Sequence, residues 1–430
     1  MDYLQARKYI IDAECYQGDM GLGNIRNLLK KIGNPQDDLK FIHIAGTNGK
    51  GSVMAYISTI LSTARYCVGR YVSPTLYAYR ERIQVDGLYI EEEAFTRHME
   101  KLVWAIRQML EEGMAHPTPF EIETALAFLY FKEKQCDIVV LECGMGGRDD
   151  ATNIVENTIM AVFTSISTDH MEYLGNTLEE IATNKAGIIK PEAIVVSGRQ
   201  ALEVEETLWA ICTERCNQLI VAKPREAVVR ESTLVSQTFR YHGEEVTIAM
   251  AGSHQIENAV LALECVNALN HIGYRIEKED VYQGFLQTRW EGRFTLLRED
   301  PYFVVDGAHN PDAAAKLQQS LKMYFQEKEF VFIMGVLKDK QYEVIAETMA
   351  PMAKKIFTIT TPDNPRALEA DVFAQIISRY NEQVQPCKSI EEAVAESLKI
   401  ADKQDVIVAF GSLSFIGAIT RIVTGEEEHD

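Results

Sequence analysis

The sequence predicts an α/β protein with two doubly wound domains, the first built on a phosphate-binding loop and the second Rossmann-like. Three observations predict it. An apolar run, Phe41-Ile42-His43-Ile44-Ala45, leads into Gly46-Thr47-Asn48-Gly49-Lys50-Gly51-Ser52 and then into a helical pattern with Val53, Ile57, Ile60 and Leu61 on one side. Asp137-Ile138-Val139-Val140-Leu141-Glu142 reads as a continuous strand, the pattern of a parallel strand covered on both faces. Beyond Thr288–Arg293, where periodicity stops, strands and helices alternate afresh to the end. At 430 residues the chain exceeds one ordinary core, so we divide it into residues 1–292 and 293–430.

In order, residues 1–40 read as two helices parted by Gly21-Leu22-Gly23. After the loop and its helix, Tyr66–Val72 is a second buried strand that stops at Ser73-Pro74, because proline cannot donate to a ladder. Residues 81–90 form a hairpin around Asp86-Gly87, and 91–112 are helical. A long apolar helix follows Pro117-Thr118-Pro119-Phe120-Glu121 and runs to about Lys134. The strand at 137–142 ends before Gly144-Met145-Gly146-Gly147-Arg148, and a fourth strand, 158–165, leads to Asp169-His170. A helix at 178–189 carries Lys185, 193–222 adds an αβ unit, 235–250 is a hairpin and 253–273 a helix. In the second half we read strands at 302–306, 329–334, 355–360 and 405–410, with helices at 311–325, 339–350, 369–380, 389–402 and 413–423. The acidic tail from Gly425 is expected to fray.

Composition narrows the function. Hydrophobic residues at 47% and charged ones at 25% fit a soluble globular protein. No run of ~18 apolar residues and no leader pattern stands out, so we expect neither membrane span nor signal peptide. The eight cysteines form no CxxC, and Cys212 and Cys216 lack a second pair to complete a zinc set, which suits free thiols in a reducing cytoplasm. A formal charge of −20 argues against a nucleic-acid surface, and any anionic substrate must be met by local cations.

The loop itself suggests chemistry. Glycines let backbone N–H groups turn inward, and the following helix adds partial positive charge at its start. Lys50 is placed to reach the β- and γ-phosphates of a nucleotide, and the Ser52 hydroxyl to ligate Mg²⁺. The generic phosphate-loop pattern is half met: Ile44 stands where a first glycine belongs, and Gly51 separates lysine from hydroxyl. In open α/β sheets ligands sit beyond the carboxyl ends of the strands, and Ser52, Ser73, Glu142, His170 and Asp306 all follow strands.

The variant GTNGKGS resembles the loop of the Mur ligase superfamily, in its folylpolyglutamate synthase / dihydrofolate synthase branch. The resemblance extends from about Gly21 to Gly417 through GTNGKGSV (46–53), SPTL (73–76), ERI (81–83), TPFE (118–121) and LECGMGGRDDATN (141–153). It continues through TDHMEYLG (168–175), NKAGIIKP (184–191), GSHQIENAVLAL (252–263), WEGRF (290–294), DGAHNP (306–311) and GSLSFIG (411–417). It implies a Mur ligase central-type first domain, a glutamate-ligase second domain, and an active site in the cleft between them. The implied reaction uses ATP and Mg²⁺: a substrate carboxylate attacks the γ-phosphate, and the amine of L-glutamate then displaces phosphate from the acyl phosphate.

Roles follow from the same resemblance. Gly46, Thr47, Asn48, Gly49, Lys50, Gly51 and Ser52 hold the nucleotide, with Asn258 at the base edge, Arg293 at the phosphates and Asp306 facing the nucleotide. Ser52, Ser73, Glu142 and His170 match metal positions, and Lys185 matches a lysine that relatives carry as a carbamate, an added metal ligand. Lys50, Lys185 and His309 are the catalytic candidates, His309 also meeting the incoming glutamate. Thr118, Phe120, Asp150 and Ala151 match pterin contacts: Phe120 offers a stacking face and Asp150 an acceptor for ring N–H groups. Arg82 either steadies a substrate carboxylate or pairs with a neighbouring acid, and Ser412 is a further substrate-side candidate. Two positions depart from many relatives, Thr75 in place of His and Ser414 in place of Tyr.

The expectation is therefore a cytoplasmic, monomeric ligase adding L-glutamate to folate, to dihydropteroate, or to both, without nucleic-acid or membrane partners. Its rivals are a Mur-type peptide ligase of another acidic substrate and a non-ligase P-loop NTPase. A cell-wall Mur ligase has a large domain before the loop, where only about forty residues precede it here.

Overall fold

The computed structural model describes residues 1–16, 21–362 and 364–425; residues 426–430 of the acidic tail expected to fray lie outside it. The chain forms two compact units. The first comprises Met1–Thr75, Arg80–Glu226 and Asn258–Thr288, and the second Leu76–Tyr79, Ala227–Glu257 and Arg289–Asp430.

The first unit begins with α1 (Tyr3–Asp12) and α2 (Gly23–Lys31). Then come β1 (Phe41–Ala45), α3 (Lys50–Thr63), β2 (Val68–Tyr71), β3 (Ile83–Val85), β4 (Leu88–Tyr89), α4 (Glu92–Glu111), α5 (Pro119–Glu133) and β5 (Ile138–Glu142). The run continues with β6 (Thr158–Phe163), the one-turn α6 (Met171–Leu174), α7 (Leu178–Lys185), β7 (Ile194–Ser197), α8 (Leu202–Glu214) and β8 (Leu219–Val221). Its sheet has the order β4-β3-β2-β5-β1-β6-β7-β8. The six strands from β2 to β8 in that order pair in parallel, and the β3–β4 hairpin adds an antiparallel edge.

Position in this sheet explains the strand sequences. β1 and β5 are buried along their whole lengths, so both read as unbroken apolar runs rather than alternating ones. From β1 the chain crosses to β2 on one side, and from β5 it crosses to β6 on the other. That reversal opens a crevice at the carboxyl ends of β1 and β5, the place where α/β sheets bind ligands. The helix after β1 is apolar nearly all round, and Val53 to Ile57 are all buried, as befits a helix packed on every side.

Residues 227–257 contribute a three-stranded antiparallel sheet, β9 (Val228–Ser232), β10 (Gln237–Tyr241) and β11 (Glu244–Ile248). The helices α9 (Gln255–His271) and α10 (Lys278–Gln287) follow. The second unit then runs β12 (Thr295–Glu299), β13 (Tyr302–Asp306), α11 (Pro311–Tyr324), β14 (Phe330–Met334), α12 (Tyr342–Met349) and β15 (Ala353–Thr358). It ends with α13 (Ala370–Ile377), β16 (Val384–Pro386), α14 (Ile390–Ile400), β17 (Val406–Phe410) and α15 (Leu413–Thr424). The order β12-β13-β17-β14-β15-β16 is parallel except for β12. Successive side chains of β14 alternate between two cores: Phe330, Phe332 and Met334 on one face, Val331 and Ile333 on the other.

Three strands escape the pattern reading. β9 is mostly exposed, β12 is half-buried, and β16 is three residues long and ends at a proline, so none has a buried apolar face to announce it. The helix expected over 178–189 ends at Lys185 and tightens into a 3₁₀ turn over Ala186–Ile188.

Candidate active site

The loop after β1 is shaped by close contacts. Gly49 caps α3 with φ 88°, a left-handed conformation that side chains resist, and a Cβ there would lie 2.6 Å from Asn258 Oδ1. At Gly46 a Cβ would meet Thr164 Oγ1 at 1.8 Å. Thr47 ties the loop to the segment after β6: its N–H donates to Ser165 O at 2.7 Å, its hydroxyl donates to Ser167 O, and it accepts from Ser167 N–H, both at 3.0 Å. The first turn of α3 thus starts at the sheet edge with Lys50, Gly51 and Ser52, and Ser52 is buried.

Two lysines converge on this loop. Lys185, at the end of α7 and only 4% exposed, donates from Nζ to Gly46 O at 2.9 Å. Lys50 Nζ lies 3.4 Å from the same carbonyl oxygen, 3.5 Å from Thr47 O, and 3.8 Å from Glu142 Oε1 at the end of β5. Burial, and then the neighbouring Lys50 charge, lowers the Lys185 pKa to about 7. The shift favours the neutral amine, the form in which an amine acts as a nucleophile.

Topology brings the other metal candidates to this edge. Glu142 ends β5, Ser73 lies two residues beyond β2, and β2, β5 and β1 are adjacent. His170 follows β6, in the left-handed region at φ 51°, with Nε2 3.9 Å from Asp169 Oδ2. Among the described residues no group of three or more His, Cys, Asp and Glu is arranged to hold a metal. The oxygen donors Ser52, Ser73 and Glu142 fit Mg²⁺ nonetheless, because that ion takes few protein ligands and completes its shell with water and phosphate oxygens.

The substrate candidates beside β5 do structural duty as well. Thr118 is the N-cap of α5, in a capping box with Glu121. Phe120, half-buried, has its Cζ 2.7 Å from where a Cβ on Gly144 would stand. Asp150 caps the 3₁₀ turn that begins at Ala151, accepting from Thr152 N–H at 3.0 Å, while its second oxygen accepts from Met145 N–H at 2.8 Å. Burial raises the Asp150 pKa, and these donors oppose the rise. Arg82 pairs with a neighbouring acid, its Nε 3.3 Å from Glu123 Oε1, both side chains nearly buried.

The remaining candidates belong to the second unit, except Asn258, whose carboxamide packs against Gly49. Asp306 ends β13 and is buried; it accepts from Phe294 N–H and Ala308 N–H, both at 2.8 Å. Arg293 lies over Gly307, its Nη1 2.2 Å from where a Cβ would stand. Burial raises the Asp306 pKa and the Arg293 charge lowers it. His309 Nδ1 donates to Gly307 O at 2.8 Å, which leaves Nε2 as the other functional nitrogen. Ser412, after the adjacent β17, is the buried N-cap of α15 and accepts from Ser414 N–H.

Several residues that shape the edge went unread in the sequence. Thr164, Ser165 and Ser167 lock the phosphate loop, and Gln200 braces that segment by accepting from Ile166 N–H at 3.0 Å and donating to Thr164 O at 2.8 Å. The only signal was the polar run Thr164-Ser165-Ile166-Ser167-Thr168 after a strand. His43, buried in the centre of β1, passed as part of an apolar run.

Comparison with known proteins agrees with this layout. Residues 44–266 match the Mur ligase middle domain, and residues 292–413 the Mur ligase glutamate ligase domain. The chain is 34% identical over 429 residues to the dihydrofolate synthase/folylpolyglutamate synthase of Bacillus subtilis, covering 97% of this chain and 98% of that protein. It is 31% identical over 412 residues to the folylpolyglutamate synthase of Lacticaseibacillus casei, covering 93% and 94%. Mycobacterium tuberculosis folylpolyglutamate synthase complexed with ADP superposes with TM-score 0.89 at 31% identity over 99% of both chains. E. coli FolC in complex with DHPP and ADP does so with TM-score 0.86 at 27% identity over 99% and 98%.

Proposed function

Because the chain belongs to the folylpolyglutamate synthase / dihydrofolate synthase family of Mur ligases, we propose that it is an ATP-dependent ligase joining L-glutamate to a folate, to dihydropteroate, or to both. The observation that carries the reading is the convergence of Lys50 and Lys185 on the Gly46 carbonyl beside Glu142. In a chain of net charge −20, Lys50 at the start of α3 supplies the local cation that a triphosphate requires.

In this reading the N–H groups of Gly46–Ser52 and the start of α3 cradle the phosphates, and Lys50 neutralises charge on the γ-phosphate. Asn258, set against Gly49, meets the adenine edge, and Arg293 and Asp306 are further nucleotide contacts. Ser52, Ser73, Glu142 and His170 would hold Mg²⁺, which when bound supplies charge neutralisation for phosphoryl transfer. Lys185, whose pKa burial lowers, would add CO₂ through its neutral amine and release a proton to solvent, leaving a carbamate as an anionic oxygen ligand. Thr118, Phe120, Asp150 and Ala151 seat the pterin ring. Arg82, paired with Glu123, steadies the acceptor, while His309 and Ser412 serve the glutamate. The substrate carboxylate takes the γ-phosphoryl group, and the glutamate amine attacks the acyl carbon and expels phosphate. Catalysis is then mostly positioning and charge neutralisation. We take the protein to be a cytoplasmic monomer; no helix among the described residues is long and apolar enough to cross a membrane.

The test is an assay of purified protein with ATP, Mg²⁺ and glutamate, comparing dihydropteroate with tetrahydrofolate as acceptor and reading products by mass. A ligase yields a product heavier by one glutamyl unit and releases phosphate only when glutamate and acceptor are both present. Phosphate release from ATP alone, undiminished when both are omitted, overturns the proposal.

A further inference from the structure

The side chain of His43 is the one polar group in the fully buried β1, at 0% exposure. A histidine in the middle of a parallel sheet is costly unless its ring nitrogens are used. Its Nε2 lies 2.9 Å from Thr152 Oγ1 and 3.1 Å from Cys143 Sγ, while its Nδ1 is buried with no hydrogen-bond partner among the described residues. Thr152 Oγ1 in turn lies 2.5 Å from Asp150 Oδ1, the same oxygen that accepts from Thr152 N–H. Three side chains from β1 and from the segment after β5 therefore form one buried line: His43, Thr152, Asp150.

The direction of the line follows from donor chemistry. A carboxylate only accepts, so the Thr152 hydroxyl donates to Asp150. That hydroxyl has lone pairs alone left for His43, so a hydrogen bond between them puts the proton on Nε2, with the Cys143 sulfur a weak acceptor beside it. The bare Nδ1 is then the nitrogen left unpartnered, which agrees with its surroundings. Burial lowers the His43 pKa to about 3, so the ring stays neutral and the direction does not change at working pH. Because β1 ends two residues later at Ala45, the line anchors the acceptor-side carboxylate to the strand that delivers the phosphate loop.

We propose that His43 is a positioning residue: by donating from Nε2 it orients the Thr152 hydroxyl, which holds the Asp150 carboxylate in place for the pterin ring of the acceptor. This rests on the proposed reading of Asp150 as a pterin contact. It is tested by steady-state kinetics of Asp150→Asn, His43→Leu, His43→Gln, Thr152→Val and the His43→Leu/Thr152→Val double variant, with ATP and a pterin acceptor varied separately. Leucine removes the donor, whereas the glutamine Nε2 can still donate from nearly the same place. Losing one buried hydrogen bond in such a line corresponds to roughly five- to tenfold in affinity. We expect His43→Leu to raise the acceptor KM by about that factor, with the ATP KM within about twofold of the parent. His43→Gln restores most of the loss, and the double variant is no worse than Thr152→Val alone.

Equal effects on ATP and acceptor, failure of His43→Gln to restore, or additive losses overturn the positioning role and leave His43 as packing. An Asp150→Asn variant with an unchanged acceptor KM overturns the substrate reading of Asp150 instead. Should His43→Leu fail to fold, the ¹⁵N spectrum of the unaltered protein decides: the Nε2–H tautomer of His43 supports the line, and the Nδ1–H tautomer overturns it.

Discussion

The carboxyl edges of the two parallel sheets carry polar residues in the same topological place, yet they are built on opposite charge logic. In the first unit, two lysine side chains converge on one carbonyl oxygen, and the burial of Lys185 is not matched by a carboxylate within salt-bridge distance among the described residues. In the second unit, Asp306 is buried but satisfied, held by two backbone N–H groups and faced by Arg293. The first edge holds a buried lysine whose charge its surroundings disfavour, a perturbation that in the proposed reading belongs to the ligand site. The second is largely self-compensated, and its carboxylate organises the chain at Phe294 and Ala308 as much as it waits for a ligand.

The contrast orders the effects of substitution. Lys185→Ala is expected to lower kcat by about three orders of magnitude or more, with added acetate or bicarbonate restoring part of it. A fully active Lys185→Ala protein removes the first edge from the mechanism. Lys50→Met should cost a comparable factor and also move the Lys185 pKa upward, because the second cause of its depression has gone. The ¹³C signal of a carbamate formed from labelled bicarbonate, followed against pH, reads that movement as a shift to higher pH.

Asp306→Asn tests the self-compensated edge. Replacing charged acceptors of two N–H groups by a neutral amide should cost about 2 kcal/mol of stability, seen as a lower urea midpoint, with a smaller loss of kcat than either lysine variant. A stability left intact alongside a lost activity equal to that of Lys185→Ala makes the two edges alike and ends the comparison. Ser412→Ala is the mildest case, removing a helix N-cap worth about 1 kcal/mol. A change confined to the glutamate KM, with stability unaffected, assigns the hydroxyl to substrate rather than to α15.

His43 adds a pH dependence. Its folded pKa, about 3, lies below the ordinary 6.5, so the folded protein holds it neutral while the unfolded chain protonates it. Stability is therefore lost as pH falls below about 6.5, at up to about 1.4 kcal/mol per pH unit, until about 3. A His43→Leu variant should show a shallower loss of unfolding free energy across that window.

Elements with unambiguous period and burial are legible in the sequence: β1, β5, β13, β14 and β17 are buried throughout or nearly so, and each is an apolar run. β9 and β16 are not, because their strand character comes from pairing rather than from a buried face. Thr118, Asp150 and Ser412 illustrate a subtler ambiguity. Each is a helix cap in the structure, and the residue types that cap helices are the same short acceptors that bind ligands.

The order of glycine, lysine, serine and strand-end carboxylates along the chain was enough, by itself, to specify a nucleotide loop, two α/β layers and a family. Local sequence encodes period, turn chemistry and motif spacing, and these need no knowledge of distant neighbours. Only the folded molecule decided that Lys185, 139 residues from Gly46, donates to its carbonyl, and that His43 Nε2 and Thr152 Oγ1, 109 residues apart, come within hydrogen-bond distance. Such pairings, and the pKa values they set, depend on burial and on strand order, which chain position alone does not encode.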